Sequence, residues 1–323
     1  MGTRTFPLLS AAIAALLAIA APAAADDYPN RAVRIIIPFA PGGINDVAAR
    51  VVATHLSQRL GKQFVAENKT GAGGVVGTEL AANSPPDGYT IVVSSIANAV
   101  QPVLYKLSYD PHKAFDAVAM FVTSPNTLAI HPSLPANDLK EFIALAKSKP
   151  GDIQYASGGA GGSQHLGMEL FKLTARVDLL HVPFRGAGPA TIDVIAGNTK
   201  ATIATASSVA AHIRSGKLRG LAISMDKRIK ALPDVPTFSE AGLPEYKGGN
   251  WIGFSVPAGT PRPVIELLHK EITAIQDLPE VQEQLENRGA FVEKMTVAQF
   301  GQFIESEMAK WSRVVTEGGI KAQ

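Results

Sequence analysis

The stretch Ile35-Ile36-Ile37-Pro38-Phe39-Ala40-Pro41-Gly42-Gly43-Ile44-Asn45-Asp46 constrains this chain more than any other. Its apolar run is too continuous for an exposed antiparallel edge and reads as a buried strand, which Pro38 ends. The glycines then turn the chain into a helix that carries Val47, Val51, Val52, Leu56 and Leu60 at helical spacing, with Gly61 where a C-cap belongs. A strand that meets a helix N-terminus in this way presents free backbone N–H groups, and the helix dipole adds partial positive charge. A carboxylate or phosphate can bind there without any Lys or Arg.

The same device recurs along the chain. Gln63 to Glu67 reads as a short strand, Gly71-Ala72-Gly73-Gly74 turns into a helix bearing Val76, Leu80 and Ala81, and a strand from Tyr89 to Val93 runs into Ser94-Ser95-Ile96-Ala97-Asn98. After Ser124-Pro125 the pattern restarts with a strand from Thr127 to Ile130 and a helix that buries Leu139, Phe142, Ile143, Leu145 and Ala146. Strands at Ile153 to Ala156, Leu179 to Val182 and Ala201 to Ala204 each precede a small-residue turn, and Leu218 to Ser224 closes the block. A Pro- and Gly-rich stretch from Ala231 to Gly249, a strand from Trp251 to Val256 and two or three amphipathic helices complete the chain. Strands alternating with helices on short loops predict a mostly parallel sheet covered on both faces. Two such blocks and a helical tail predict an α/β fold of two lobes, with ligand at the strand ends between them. The expected lobes are 26–124 plus 253–323, and 125–252.

Length and composition agree with this scheme: 323 residues with 46% apolar and 18% charged side chains suffice for two α/β cores. A formal charge of +2 with scattered Lys and Arg gives no footprint for nucleic acid. Arg4, the apolar run from Leu8 to Ala21 and Ala23-Ala24-Ala25 read as a cleaved signal peptide over residues 1–25, because the run is short and Ala-rich for a membrane span. Its removal takes Arg4 from the 30 basic side chains and leaves 29 against 28 acidic ones. An exported chain without Cys must be held by its core, which suits the periplasm.

Several motifs approach well-known ones and miss. In Gly71-Ala72-Gly73-Gly74-Val75-Val76-Gly77 the third glycine of a dinucleotide fingerprint falls one place late, and no stretch carries the Gly-Lys-Ser/Thr ending of a P-loop. Any single glycine reads as a turn former; the repetition after strands and before helices is the signal. Gly161-Gly162-Ser163-Gln164-His165 resembles a serine nucleophile elbow, but His165 replaces its closing Gly, and nothing marks His181 or His212 as a base. Ser163 reads better as a helix N-cap or ligand donor, and His165 equally as a ligand contact or a core histidine. The seven His are dispersed, so neither a metal nor a cofactor is expected, and Asp87, Asp110 and Asp116 read as solvated turn formers.

Taken together, Tyr28-Pro29, the Pro38–Asp46 turn, Glu67-Asn68 with Gly71-Ala72-Gly73-Gly74, Pro86-Asp87-Gly88-Tyr89, Leu104-Tyr105, Tyr109-Asp110-Pro111, Tyr155-Ala156-Ser157, His165-Leu166 and His181-Val182-Pro183 resemble the Bug family. So do Ala231-Leu232-Pro233-Asp234-Val235-Pro236-Thr237, Glu240-Ala241-Gly242-Leu243-Pro244 and Pro257-Ala258-Gly259-Thr260-Pro261, in the same order over essentially the whole mature chain. These are extracytoplasmic solute receptors of tripartite tricarboxylate transporters. The resemblance implies a two-lobed periplasmic binding fold, crossed twice by the chain, whose lobes close on a small organic carboxylate held by backbone N–H groups, hydroxyls and water. It implies a monomer that delivers its ligand to integral membrane permease subunits and is not an enzyme. A same-fold receptor that feeds a sensor is the alternative, and a secreted serine hydrolase acting through Ser163 a more distant one.

Carried over by position, the first-lobe contacts are Gly42, Gly43, Asp46, Ser94, Ser95 and Asn98, and the second-lobe contacts are Ser157, Gly162, Ser163 and His165, with Thr205 near the mouth. Asp46 has a second reading, as the residue that caps its helix or holds the turn. The chain departs from the family at three places: Ile44-Asn45 where Ser-Thr is common, Ile203-Ala204-Thr205 for Phe-Asp-Asn, and Phe184-Arg185-Gly186 for Tyr-Lys-Gly. Ile44 and Ala204 make the pocket less polar, and Phe184 joins them as a tuning position. The ligand expected is a carboxylate with an apolar or aromatic body, since an amino acid's ammonium would want a buried acid.

Overall fold

A computed structural model describes residues 28–321 apart from Ala40, Ala160, Arg185 and Gly186. The signal segment over residues 1–25 and the Arg185-Gly186 pair lie outside the described residues. The first block runs β1 (Val33–Ile37), α1 (Ile44–Leu60), β2 (Phe64–Asn68), α2 (Val75–Ala82), β3 (Thr90–Ser95), α3 (Ile96–Leu104) and β4 (Phe115–Ser124). The second runs β5 (Asn126–Ile130), α4 (Leu139–Ser148), β6 (Gln154–Ser157), α5 (Ser163–Ala175), β7 (Leu180–Pro183), α6 (Ala187–Ile195), β8 (Ala201–Thr205), α7 (Ala206–Arg214) and β9 (Arg219–Ile223). The chain then returns through β10 (Asn250–Pro257) to α8 (Arg262–Gln276), α9 (Pro279–Glu286), β11 (Phe291–Val292) and α10 (Val297–Glu317).

These strands form two sheets, ordered β11-β4-β10-β3-β1-β2 and β7-β6-β8-β5-β9. The chain passes from the first to the second between β4 and β5, with only Pro125 between them, and comes back at β10. The expectation of mostly parallel sheets needs correction. β1 lies parallel to β2 and β3, and β6 to β7 and β8. By contrast, β10 is antiparallel to β3 and β4, β11 to β4, and β5 to β8 and β9. A helix crossover returns the chain to the same end of a sheet and so gives parallel neighbours. The strands that carry the chain between sheets have no such crossover and enter from the opposite end.

Apolar burial explains the packing. β1 buries Val33, Ile35, Ile36 and Ile37, and α1 lays Val51, Val52 and Leu56 against the same sheet, each buried side chain contributing about 1.5–3 kcal/mol before entropy is counted. α10 starts on a capping box, Thr296 with Gln299, and packs against α3 and β4 of the first sheet and α5 of the second. Its Phe300 and Trp311 share one core with Tyr155 and Phe171. The C-terminal helix therefore ties both sheets together alongside α3 and α5.

Candidate functional site

The turn before α1 is fixed from within. Gly42 takes φ 87°, a left-handed value that favours glycine, and Gly43 is the N-cap at φ −75° and ψ 168°. The Gly42 N–H donates to Asp46 Oδ2 at 3.0 Å, while Arg50 Nε and Asn68 Nδ2 donate to Asp46 Oδ1 at 3.0 and 2.9 Å. Asn68 Nδ2 also donates to the Phe39 carbonyl at 2.9 Å. Burial pushes the Asp46 carboxyl up, but the bonds from Arg50, Gly42 and Asn68 prevail and hold it at about 2. Asp46 thus spends its oxygens on the turn.

The turn before α5 repeats this backbone with a different acceptor. Gly161 takes φ 74°, Gly162 is the N-cap at φ −74° and ψ 163°, and the Gly161 N–H donates to His165 Nδ1 at 3.0 Å. An accepting Nδ1 means that the neutral ring carries its proton on Nε2. His165 stacks on His181 with centroids 3.9 Å apart, and Tyr155 stacks on His181 at 4.9 Å. His181 Nε2 lies 2.6 Å from Ser157 Oγ, which accepts from the Gly159 N–H at 3.2 Å. Tyr155 donates to Glu169 at 2.6 Å, and Lys172 reaches the same oxygen at 3.0 Å. Burial, then the charges that His181 and Lys172 can carry, pull His165 down to about 4, and burial also lowers His181. Two stacked neutral imidazoles therefore support the glycine turn from behind.

The third helix start, that of α3, is closed by a capping box. Ser95 Oγ accepts from the Ala97 N–H at 3.3 Å, and Asn98 Oδ1 accepts from the Ser95 N–H at 2.8 Å. All three helix starts border one cleft of about 580 Å³, lined by Ile44, Asn45, Ser95, Ala97, Gly162 and Ser163 among others. Phe39, Val100, Leu104, Leu166 and Ile252 supply its apolar walls. Among the described residues, no Asp, Glu, Lys, Arg or His lines it. What the cleft offers an anion is backbone N–H, hydroxyl and amide groups at three positive helix ends.

Of the positions named from sequence, the structure brings Ile44, Ser95, Gly162 and Ser163 together on this cleft. Gly42 and Gly43 form the turn beside Ile44, and Asp46, Ser157 and His165 are buried behind their turns. Ser94 and Asn98 line a separate cavity of about 100 Å³, where Ser94 Oγ bonds Ser255 Oγ at 2.8 Å. Thr205 caps α7 and bonds Ser208 at 3.2 Å; Ala204 lies in the core of the second sheet, with Phe184 packed against it. Sequence reasoning did not assign to the site the Thr70–Gly74 turn, Gln101, Tyr105, Asn250 or Trp251, all of which line the cleft. The turn was visible as a glycine cluster, and Gln101 Nε2 pins it by donating to the Gly73 carbonyl at 3.1 Å. Asn250 and Trp251 arrive from a strand remote in sequence and carry no local signal.

Known proteins share this architecture. The family model described as the tripartite tricarboxylate transporter family receptor matches residues 48–320. Protein BugT of Bordetella pertussis is 38% identical over 306 residues, 94% of each chain. An R. palustris protein solved with adipate is 30% identical at TM-score 0.75, covering 91% of this chain and 99% of its own. MatC from Rhodopseudomonas palustris, solved with bound malate, is 31% identical at TM-score 0.72, covering 89% of this chain and 100% of its own. The chain has the two-lobed fold of the periplasmic binding proteins and belongs to the tripartite tricarboxylate transporter receptor family, alongside the Bug proteins.

Proposed function

We propose that this chain is a periplasmic receptor that captures a small organic carboxylate by lobe closure and delivers it to the membrane permease of a tripartite transporter. The observation that carries the reading is the convergence of three helix starts on one cleft that, among the described residues, has no charged side chain in its lining. Relatives solved with adipate and with malate support a dicarboxylate as the ligand class. Ile44, Val100, Leu104 and Leu166 favour an apolar or aromatic body, and an amino acid's ammonium would find no acid among the described residues of the lining. Binding needs only a higher affinity for the closed state, so the reading requires no nucleophile or general base.

The lobes are 26–124 with 250–323, and 125–249, the expected break at 252/253 moving to the start of β10 because that strand pairs with β4 from Asn250 onward; the chain is exported by a cleaved signal segment and acts as a monomer. A thermal-shift panel of mono-, di- and tricarboxylates with amino acids tests it. Dicarboxylates should raise the melting temperature saturably, and stabilisation by amino acids alone would overturn the reading.

A further inference from the structure

Trp251 stands between two cavities. Among the described residues it is the one shared by the lining of the main cleft and that of the 100 Å³ cavity around Ser94, Asn98 and Ser255. The two cavities meet β3 at successive residues, since Ser95 borders the cleft and Ser94 the smaller space. Strand alternation sends these side chains to opposite faces, and Trp251 closes the gap at the strand end.

The ring is held with unusual firmness for a pocket wall. Trp251 is 2% exposed, and its indole N–H donates to Glu307 Oε2 at 2.9 Å. The same oxygen accepts from the Trp311 indole at 2.8 Å, and Lys310 pairs with the other oxygen. Phe300 and Phe303 meet the Trp251 ring edge-on at 5.9 and 5.4 Å. Burying a carboxylate costs more than filling the same space with an aliphatic side chain, so what Glu307 supplies is orientation of the ring.

We infer that Trp251 is a specificity-determining partition, positioned by Glu307, that ends the cleft and limits the length of the ligand's apolar body. The inference rests on the receptor reading above. The smaller cavity is suited to take methylenes once the partition shrinks. Ala117, Ile304 and Met308 line it beside Tyr109, whose hydroxyl donates to Gln101, and His112 and Glu305, which pair with each other; its Ser94 and Ser255 hydroxyls bond each other, and the Asn98 amide is engaged by the Ser95 N–H and Thr78 Oγ1. An apolar chain entering there would leave none of these groups unpartnered. Its volume also clears the roughly 10–15 Å³ that one water-sized group needs several times over.

The test is calorimetric titration of the chain from Asp26 onward with straight-chain monocarboxylates from butyrate to nonanoate and dicarboxylates from succinate to azelate, for the parent, Trp251→Phe, Trp251→Leu and Glu307→Gln. The parent should show an affinity maximum at one length and a fall beyond it. The Trp251 variants should move the maximum to longer monoacids, gaining roughly fourfold for each further methylene buried, whereas a longer diacid would carry its far carboxylate in beside Glu305 and gain nothing. Glu307→Gln keeps the ring but loosens it and should flatten the length profile. Circular dichroism and the ligand-free melting temperature show which variants are folded, and Trp251→Phe decides if the leucine variant is not. A folded Trp251 variant that keeps the parent's maximum, with all affinities merely scaled, overturns the partition. A parent that binds no member of the series overturns the receptor reading and this inference with it.

Discussion

The turns before α1 and α5 have nearly the same backbone. Gly42 and Gly161 take φ 87° and 74°, the N-caps Gly43 and Gly162 take φ −75° and −74°, and each first glycine donates its N–H at 3.0 Å to the side chain four residues on. The acceptors differ in kind. Asp46 is an anion held by Arg50 and Asn68, whereas His165 is a neutral ring stacked on His181. An anion in the first turn of α1 offsets part of that helix's positive end, but a neutral imidazole leaves the end of α5 to the ligand. Two chemically unlike locks thus produce one geometry, with unequal pull on a bound carboxylate and unequal tolerance of acid.

Removing the second lock should have the largest effect. His165→Ala empties a buried stack and orphans the Gly161 N–H, so a loss of about 3 kcal/mol is expected in urea unfolding. Acid separates the two locks by pH. The folded His165 is pulled down to about 4 from 6.5, so between those values the unfolded chain binds more protons. Stability should therefore fall as pH drops through that window, by on the order of 3 kcal/mol, and the fall should shrink in His165→Ala. Asp46 is shifted in the same direction but in a lower window: its folded value is about 2 against 3.8, so its contribution persists above 3.8 and is lost only as pH falls towards 2. Thermal melts across pH 2 to 8 check both windows.

Weakening the first lock should matter less. Asp46→Asn keeps the size of the side chain but leaves the Arg50 guanidinium without its carboxylate, for an expected cost of about 1–2 kcal/mol in the same unfolding assay. The smallest effect is expected at Ile44, which lines the cleft where the second wall has Ser163. Ile44→Ser should change stability by less than about 1 kcal/mol and shift preference severalfold from adipate towards malate in competition titrations.

How much of this was readable from the chain depended on distance along it. The β1 run, its glycines and Asp46 are contiguous, and so were the strand, the helix start and the turn-holding alternative for Asp46. The matching Gly161-Gly162 and His165 were also contiguous, but the stack of His165 on His181 joins two strand–helix units and left no local mark. Ser94 and Ser95 were named together, and only strand alternation in the folded sheet sends one to the cleft and the other away. β4 escaped because it is antiparallel and leads directly into another strand, outside the strand–helix rhythm. Trp251 and Tyr105 reach the cleft through tertiary packing, for which a single sequence carries no periodic signal.

The central claim is that one carboxylate ligand is gripped by backbone N–H groups on both walls. Amide chemical shifts measured by NMR during a titration with adipate test it most directly. The account predicts saturable shifts, with a single binding constant, for the first-turn amides Ile44 and Asn45 together with Ser163 and Gln164. Shifts confined to one wall, or none at any concentration, would contradict it.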